Sequence, residues 1–571
     1  MKNDVFFPYG ISNFAQVATQ NYVYVDKTPF LELLERQQHK FNVFLRPRRF
    51  GKSLFVSLLE YYYDINRKEQ FTELFSKYYI GKNPTPLANS FRILFFNFSG
   101  IDTSTQESSR QGFNVSVRAS IERFFLEYPI FNDEEKTFIR QATDAEELLT
   151  NLFSCYKTQK LPIYLLIDEY DHFTNEILIR DLEEFKKSVS QNGYVRKFYE
   201  VIKNATQQGV VDRFFITGVS PITLDSLTSG FNIVKHLTHQ EEFEAMMGFS
   251  EAEVRELLLL VLEDKSREQS IMQDLRNYYN GYKFYPLSQE NLYNSDMVLY
   301  FLDNFKGKQQ YPRQILDPNI MPDYGKLKKM FEVANWQENI KVLEEVLEQG
   351  NISCEQIYQF SFENDFGRRE FINFLYYLGN LTIEGVNMAG EVVFKIPNKV
   401  IAELYWQYYA HLLQKMNDLY LEEDKVRKAV VQMAFGKTEE YFALVEKLLK
   451  ILSNRDYQRF DEKYIKMILM AYAIQGNVFY VQSEREVSGG GYLDLELYIK
   501  PNNPSEHHQF AIELKYLKKE QEHLLPQVQA EAKAQILEYY QKDSLLQSKK
   551  MLHLLAVVVV KDTIFVEEVK F

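Results

Sequence analysis

A glycine, a lysine and a serine stand side by side in RPRRFGKS (46–53), after one apolar run and before an amphipathic one. Gly51 lets the backbone approach a phosphate, and the N–H groups that begin the next helix attract an anion. Lys52 can reach the β- and γ-phosphates, and the Ser53 hydroxyl can bind Mg²⁺. The segment predicts a phosphate-binding loop, although Arg46 replaces the usual first glycine. A chance Gly-Lys-Ser in a surface turn is the alternative.

Two adjacent acids end the apolar run LPIYLLIDEYD (161–171). At the tip of a buried strand, Asp168 can bind Mg²⁺ and Glu169 can orient or deprotonate an attacking water. Capping of the following helix is the alternative, and the preceding Gly-Lys-Ser makes it the weaker one. A further run, RFFITGVSP (213–221), places Thr217 and Ser220 where hydroxyls could sense a γ-phosphate beside Glu169. Such residues are also common turn formers.

A second set of charged residues lies near the end of the chain. Asp494 occurs in YLDLELYI (492–499), and Glu513 and Lys515 occur in FAIELKY (510–516). Side chains alternate along a strand, so Glu513 and Lys515 share a face, and a hairpin would bring Asp494 beside Glu513. Two carboxylates could then hold Mg²⁺ while Lys515 orients or activates water. A salt bridge on a sheet face is the competing interpretation.

Three neighbouring features favour the metal site. Glu462, on the helix that precedes the strands, adds an acid. The run SGGGY (488–492) allows a flexible approach to Asp494, and AKAQILEYY (532–540) places Gln535 on the following helix.

The pattern of apolar runs predicts an α/β protein. Four short runs alternate with helical segments, as in a parallel sheet covered on both faces; they are FNVFL (41–45), FRILFFNF (91–98), PIYLLID (162–168) and RFFITGV (213–219). We predict a P-loop ATPase domain at 1–240, a helical lid at 241–310 with a capping box from Ser250 to Glu253, and a mainly helical connecting domain at 311–454. A small unit of helix, three strands, helix and strand follows at 455–571.

Composition fits a folded, soluble chain. Apolar residues are 45% and charged residues 25% of the 571, and the formal net charge of -13 argues against a protein covered in DNA-binding charge, without excluding a local basic groove. No apolar run comes close to the length of about 20 residues that a membrane-spanning helix needs. The two cysteines, Cys155 and Cys354, form no metal-ligand pattern, and the nine histidines show no paired metal spacing. We expect a cytoplasmic protein that does not contact a membrane.

The motifs of the first 300 residues, as an ordered set, resemble the AAA-ATPase-like proteins of gut and host-associated bacteria. They are FPYGISNF (7–14), YVDKT (24–28), RPRRFGKSLF (46–55), LLIDEYD (165–171), FITGVSPI (215–222) and NGYKF (280–284). Members of that family commonly carry Arg at the position of Arg46. We expect ATP to be held by Arg46, Pro47, Arg48, Arg49, Phe50, Gly51, Lys52, Ser53, Asp168 and Thr217, with Mg²⁺ on Ser53 and Asp168. The three arginines either contact phosphate or act on a neighbouring molecule. The resemblance also implies that Tyr24, Asp26 and Lys27 lie near the nucleotide or its hinge.

Residues 455–571 resemble the PD-(D/E)xK nuclease superfamily. Asp494, Glu513 and Lys515 match its catalytic core, with the metal on the two acids, while Glu462 matches the first-helix acid and Gln535 the later glutamine. The usual Gly-Arg before the aspartate is replaced by Gly-Tyr-Leu at 491–493, which leaves a substrate contact there in doubt.

Together these features predict an ATP-binding and ATP-hydrolysing protein that controls a Mg²⁺-dependent nuclease. The resemblance favours DNA as the substrate and defence against foreign DNA as the setting. Two alternatives stay open, namely an ATP-switched signalling or adaptor module whose nuclease-like domain lacks turnover, and a motor that moves along nucleic acid. We expect nucleic acid to bind a basic surface made by Lys515, Lys518, Lys519 and Lys533. A homo-oligomer is compatible with this sequence.

Overall fold

The computed structural model describes residues 5–190, 192–227, 231–319, 327–333, 335–358, 360, 366–416, 423–453, 461–503 and 507–571. The expected domain boundary at 454–455 lies outside these ranges. The chain divides into two compact units. One comprises Met1–Gln310, Leu316–Val342 and Asn351–Lys399, and the other Tyr311–Ile315, Leu343–Gly350 and Val400–Phe571.

The first unit is built on a five-stranded parallel sheet with the order β2-β3-β4-β1-β5. The strands are β1 (Phe41–Leu45), β2 (Arg92–Asn97), β3 (Ile163–Asp168), β4 (Val211–Gly218) and β5 (Lys235–His236). The four predicted apolar runs form β1 to β4, and every residue of β3 is buried. The two-residue β5 was not predicted, because it is too short to give a periodic signal.

Helices surround this sheet and extend beyond it. They are α1 (Phe14–Thr19), α2 (Pro29–Arg36), α3 (Lys52–Tyr63), α4 (Phe71–Phe75), α5 (Tyr79–Lys82), α6 (Gln106–Glu127), α7 (Asp133–Arg140), α8 (Ala145–Tyr156), α9 (His172–Arg180), α10 (Leu182–Val189), α11 (Tyr194–Gln207), α12 (Ile222–Ser226), α13 (Glu251–Val261), α14 (Glu268–Tyr279) and α15 (Ser295–Lys308). The predicted capping box begins α13, with the Glu253 N–H donating to the Ser250 hydroxyl and the Ser250 N–H to the Glu253 carboxylate. Parallel strands end at one edge of the sheet, so the ends of β1 at Leu45 and of β3 at Asp168 lie on the same edge, with β4 between them.

The stretch predicted to be mainly helical also contains a small sheet. Its helices are α16 (Leu327–Phe331), α17 (Trp336–Gln349), α18 (Arg368–Tyr377), α19 (Lys399–Met416), α20 (Glu423–Ala434) and α21 (Glu439–Ser453). The antiparallel strands β6 (Asn351–Cys354), β7 (Thr382–Val386) and β8 (Val392–Lys395) pair in the order β6-β8-β7. At four or five residues each, these strands leave little alternation for a sequence pattern to detect. The domain limits proposed from the sequence stay a prediction.

A mixed sheet with the order β13-β12-β11-β10-β9 forms the end of the second unit. It contains β9 (Phe479–Glu486), β10 (Tyr492–Ile499), β11 (Gln509–Leu517), β12 (Leu552–Val560) and β13 (Thr563–Val569), with α22 (Glu462–Ala473) before it and α23 (Leu525–Lys542) and α24 (Ser544–Gln547) between β11 and β12. Strands β11 and β12 are parallel, and the other pairs are antiparallel. The predicted order of helix, three strands, helix and strand is present, and β13 is added after it.

Candidate functional site

The loop between β1 and α3 borders a cavity of about 730 Å³, a size typical of a small-molecule site. Arg48, Arg49, Phe50, Gly51, Lys52 and Ser53 all line it. Gly51 precedes the first residue of α3 and has a φ of 90°, a conformation that strains any residue with a Cβ atom. The first N–H groups of α3 have no partner within their own helix, so this loop presents donors to an anion.

Lys52, Ser53 and the two acids after β3 meet at this cavity. The Lys52 Nζ lies 3.1 Å from the Pro47 carbonyl oxygen and 3.9 Å from Glu169. The Ser53 hydroxyl lies close enough to Asp168 to lower the pKa of its carboxyl group. Burial and the neighbouring Glu169 raise the pKa of Asp168 to about 6, against the opposing effects of Ser53 and Lys52. A buried carboxylate beside a hydroxyl has the oxygen ligands that Mg²⁺ requires.

Glu169 is held in an unusual backbone conformation at the tip of β3. Its φ is 53°, in the left-handed region that non-glycine residues seldom occupy. Its side chain is 19% exposed and lines the cavity. Asn97, at the end of β2, donates to Asp168 over 3.3 Å. The two acids therefore differ in setting, since Asp168 is buried and hydrogen-bonded whereas Glu169 faces the cavity.

Arg46 lies away from the cavity. Its guanidinium donates to the carbonyl oxygens of Leu45, Thr238 and Glu244 over 2.9–3.0 Å, and its side chain is 1% exposed. The rings of Phe44 and Phe284 lie 4.1 and 3.9 Å from it. Burial lowers the pKa of this guanidinium to about 9. The expected phosphate contact by Arg46 does not fit this arrangement, in which the side chain holds the loop to the protein interior.

Three other predicted residues also have different surroundings from those expected. Pro47 and Thr217 are not among the cavity lining. The Thr217 hydroxyl donates to the Phe44 carbonyl oxygen over 2.8 Å, and the Ser220 hydroxyl donates to the Asn175 side-chain oxygen. Hydrogen bonds inside the fold therefore use both hydroxyls proposed to sense a γ-phosphate.

The loop backbone is fastened to the start of α15. The Asn294 amide and the Ser295 hydroxyl donate to the carbonyl oxygens of Arg48 and Arg49. The Arg49 guanidinium lies 2.9 Å from Asp296 and also donates to the Asn319 carbonyl oxygen. Asn294, Ser295 and Asp296 were not predicted from the sequence, because residues distant in the chain form no local motif with the loop that they contact.

The segment YVDKT (24–28), expected near the nucleotide or its hinge, reaches the cavity. Tyr24 and Lys27 line the cavity. The Lys27 Nζ is 2.7 Å from Glu253 of α13 and also donates to the Ala245 carbonyl oxygen. Asp26 instead accepts from the Thr28 and Tyr79 N–H groups. Apolar side chains line another part of the cavity, and such a surface packs well against the flat base of a nucleotide. They are Ile11, Val23, Val25, Met247, Phe249 and Leu299.

In the second unit, Asp494 and Glu513 come together across β10 and β11. The register pairs Leu495 with Ile512, which places Asp494 opposite Glu513. Their carboxyl groups lie close enough for the charge of Asp494 to act on Glu513, and an oxygen of Asp494 accepts the Leu514 N–H over 2.8 Å. Burial raises the pKa of both acids, and the mutual repulsion of the two carboxylates adds to it at Glu513.

Lys515 completes a compact group with the acids. Its Nζ lies 2.6 Å from Glu513 Oε1, while Glu513 is 1% exposed. The other oxygen, Oε2, is buried and has no hydrogen-bond partner among the described residues. An unpartnered buried carboxylate oxygen is costly, and a divalent cation would satisfy it. The pair Asp494 and Glu513 thus fits Mg²⁺, although no group of three or more acidic, histidine or cysteine side chains within the described ranges is arranged to hold a metal.

Glu462 lies near this group, whereas Gln535 bonds elsewhere. Glu462 is the first residue of α22, and its carboxyl group lies near Tyr516 of β11. Burial and the charge of Asp494 raise the pKa of Glu462, which Lys515 opposes. Gln535 donates to the Tyr539 hydroxyl over 2.8 Å.

The lysines expected to form a basic surface are partly neutralised. Lys519 pairs with Glu522 over 2.6 Å, and Lys533 pairs with Glu567. Lys515 is held by Glu513. The proposed surface is therefore less basic than the count of lysines suggests. In the described part of the chain, no helix combines the length and apolar character needed to span a membrane.

Comparison with solved structures gives only distant likenesses. The ORC2 protein of Aeropyrum pernix has a TM-score of 0.35 and 10% identity, and CDC6P of Pyrobaculum aerophilum has 0.26 and 12%. Each alignment covers 69% of this chain and 98% of the other. These scores are too low to support a conclusion about the first unit, and its fold is defined by its own sheet order.

Comparison with known sequences gives one relative and two family matches, one in each half of the chain. An uncharacterized protein of the vnfD 5′ region of Azotobacter chroococcum mcd 1 is 27% identical over 301 residues, which are 52% of this chain and 51% of that protein. The chain thus spans about half the length of this curated relative. The family described as predicted AAA-ATPase matches residues 8–228, and the PD-(D/E)XK nuclease superfamily matches residues 460–569. The chain therefore joins an AAA-ATPase-like domain to a domain of the PD-(D/E)XK nuclease superfamily.

Proposed function

We propose that this protein binds and hydrolyses ATP and that its C-terminal domain is a Mg²⁺-dependent nuclease acting on DNA, in defence against foreign DNA. The observation that carries the nuclease is the buried pair Asp494 and Glu513, whose Glu513 Oε2 has no hydrogen-bond partner among the described residues. Two carboxylates buried side by side repel each other, and a divalent cation bound by both would offset that repulsion. The state of the ATPase controls the nuclease.

The residues of the C-terminal domain have distinct tasks. Asp494 and Glu513 hold Mg²⁺, which when bound polarises a phosphodiester and acidifies water. The Leu514 N–H fixes one Asp494 oxygen, so the carboxylate is oriented before a ligand arrives. Lys515, 26% exposed beside Glu513, can leave the carboxylate to orient the attacking water or stabilise charge on the phosphate. Glu462 adds negative charge at the same place.

The residues of the N-terminal domain fit the hydrolysis of ATP. Lys52 and the first N–H groups of α3 bind the phosphates, while Ser53 and Asp168 supply oxygen ligands for Mg²⁺. Glu169 faces the cavity 3.9 Å from Lys52, where it can orient or deprotonate water. Glu169 is thus the base, and Asp168 is the metal ligand.

The test of the nuclease compares the full-length protein with Glu513→Gln, because this substitution keeps the shape of the side chain and removes its charge. Linear and circular DNA are incubated with Mg²⁺ or Mn²⁺, with and without ATP. Glu538→Gln is the matched control, since Glu538 forms an exposed ion pair with Lys542 on α23.

We expect cleavage by the wild type and by Glu538→Gln, and a loss of at least about a hundredfold in Glu513→Gln, since metal and positioning are both removed. Equal cleavage by all three proteins would assign the activity to another site or to a contaminant. Absence of cleavage by the wild type on DNA and on RNA would favour the adaptor, in which the domain binds without turnover.

A further inference from the structure

Lys466 and Glu484 form an ion pair at the edge of the Asp494–Glu513 site. Lys466 lies on α22, one turn after Glu462, and its ammonium contacts the Glu484 carboxylate of β9. The Lys466 side chain is 12% exposed, and that of Glu484 is 51% exposed. A mostly buried cation is therefore neutralised by a carboxylate that faces solvent.

The backbone of β9 is distorted at Glu484. Its φ is 50°, a backbone conformation that is uncommon and unfavourable for a residue with a side chain. The β9–β10 register pairs Leu493 with Arg485 and Leu495 with Ser483, and the pairing is interrupted between them, where Glu484 and Asp494 stand opposite each other. The distortion thus occurs at the position across from a proposed metal ligand.

The pair also acts on the site electrostatically. The Glu484 carboxylate raises the pKa of Asp494, whereas Lys466 lowers the pKa of both Asp494 and Glu462. Both side chains are therefore close enough to affect the ionisation of the site. Three acids already belong to it, namely Glu462, Asp494 and Glu513, so a fourth increases the repulsion of a DNA phosphate.

We propose that Glu484 imitates a substrate phosphate, occupying Lys466 until DNA displaces it, and that Lys466 then binds a backbone phosphate beside the metal site. An ammonium group binds a carboxylate and a phosphate oxygen by the same charge-assisted contact. Because the carboxylate is exposed and its backbone is strained, it can be released without opening the protein core. The pair thereby limits nuclease activity on weakly bound DNA. This inference rests on the proposed nuclease function.

The experiment measures binding of a short fluorescent DNA duplex to the full-length protein in a chelator, where no cleavage occurs, and cleavage at subsaturating DNA in Mg²⁺. The variants are Glu484→Gln, Lys466→Met and the double variant. Glu538→Gln is the control for loss of one negative charge elsewhere on the domain. Thermal unfolding of each variant shows whether it is folded.

Glu484→Gln should bind DNA about fivefold more tightly and cleave it faster, because releasing a partly exposed ion pair costs up to about 1 kcal/mol. Glu538→Gln should change affinity by less than about twofold. Lys466→Met should weaken binding and reduce the slope of log affinity against log salt by about 0.9, the loss of one phosphate contact. In the double variant the gain from Glu484→Gln should disappear.

A gain that persists without Lys466 would show a general charge effect and overturn the inference. It would also be overturned if Glu484→Gln matched Glu538→Gln, or if Glu484→Gln lost its metal-dependent cleavage, which would make Glu484 a metal ligand. In these three outcomes the wild type still cleaves, so the nuclease itself stands. A wild type that neither binds nor cleaves DNA removes both proposals.

Discussion

At the scale of single residues, two arginines of the loop beside the nucleotide cavity have different roles. Arg46 is enclosed by carbonyl oxygens and aromatic rings, whereas Arg49 lines the cavity and pairs with Asp296. A first glycine would leave the volume of the Arg46 side chain empty. The guanidinium instead donates to the carbonyl oxygens of Thr238 and Glu244. This arginine therefore stabilises the loop through contacts with the protein interior.

Substitution of two residues should separate nucleotide binding from hydrolysis. Lys52→Ala removes the buried ammonium of the loop, and we expect ATP affinity to fall roughly ten- to a hundredfold, the effect of losing a charged hydrogen bond. Glu169→Gln should bind ATP normally and hydrolyse it at least about a hundredfold more slowly, as for loss of a general base. Calorimetry and phosphate release measure these quantities.

The control for these variants is Lys160→Ala, because Lys160 is exposed and outside the cavity lining. It should bind and hydrolyse ATP like the wild type. Equal ATP turnover by the wild type and Glu169→Gln would show that Glu169 is not the base.

At the scale of elements, a buried acid joins α12 to a distant segment. Asp225 accepts the Phe360 N–H over 2.9 Å. Burial raises the pKa of Asp225 to about 8, and this hydrogen bond opposes the shift only partly. The ordinary pKa of an unfolded aspartate is about 3.9. The folded protein thus holds the Asp225 proton over a pH range in which the unfolded chain has released it.

The sign of the pH effect follows from this difference. The contribution of Asp225 to the free energy of unfolding is fully present below about pH 4. It decreases as pH rises and is lost by the folded pKa of about 8. Relative to Asp225→Asn, the wild type should lose up to about 1.4 kcal/mol of unfolding free energy per pH unit in this range, and nothing more above it. Denaturant unfolding of both proteins across the range gives the difference.

Asp102→Asn is the matched comparison, because the pKa of Asp102 is lowered by the Ser104 N–H and hydroxyl. Its stability difference should stay constant above about pH 4, and below that pH it should change in the opposite direction. A flat difference between the wild type and Asp225→Asn would mean that Asp225 is ionised in the folded protein at neutral pH.

At the scale of the whole molecule, the chain combines two sites of opposite charge preference. The N-terminal cavity offers Lys52 and helix N–H groups to an anion, whereas the C-terminal site offers carboxylates to a cation. With a net charge of -13, the proposed nuclease would need local cations such as Lys515 to attract DNA against an overall repulsion. Binding of DNA should therefore weaken strongly with salt.

The two sites should be separable by substitution. Glu513→Gln should leave ATP affinity unchanged, because the nucleotide cavity is lined by residues of the first unit. Lys52→Ala should keep the metal site but abolish the effect of ATP on DNA cleavage, since the controlling ligand no longer binds. Cleavage assays across a series of ATP concentrations test this coupling. An ATP effect that survives in Lys52→Ala would place its origin outside this cavity.

The sequence by itself determined much of the local structure. Continuous apolar runs predicted β1 to β4, because a strand buried on both faces is mostly apolar. The order of Ser250 and Glu253 predicted the capping box of α13, and alternation predicted that Glu513 and Lys515 share a face; both were confirmed. These features depend on residues within a few positions of one another, and their chemistry is fixed by backbone geometry.

The tertiary structure decided which side chains are available for chemistry. The sequence could not show that Arg46 and Thr217 bond inside the fold, since their partners include Thr238, Glu244 and Phe44 of β1. Nor could it show that Lys466 and Glu484 meet beside Asp494, because a helix and a strand bring them together. Burial and ion pairing depend on segments distant in the chain, and packing of those segments determines which of the charged groups can reach a ligand.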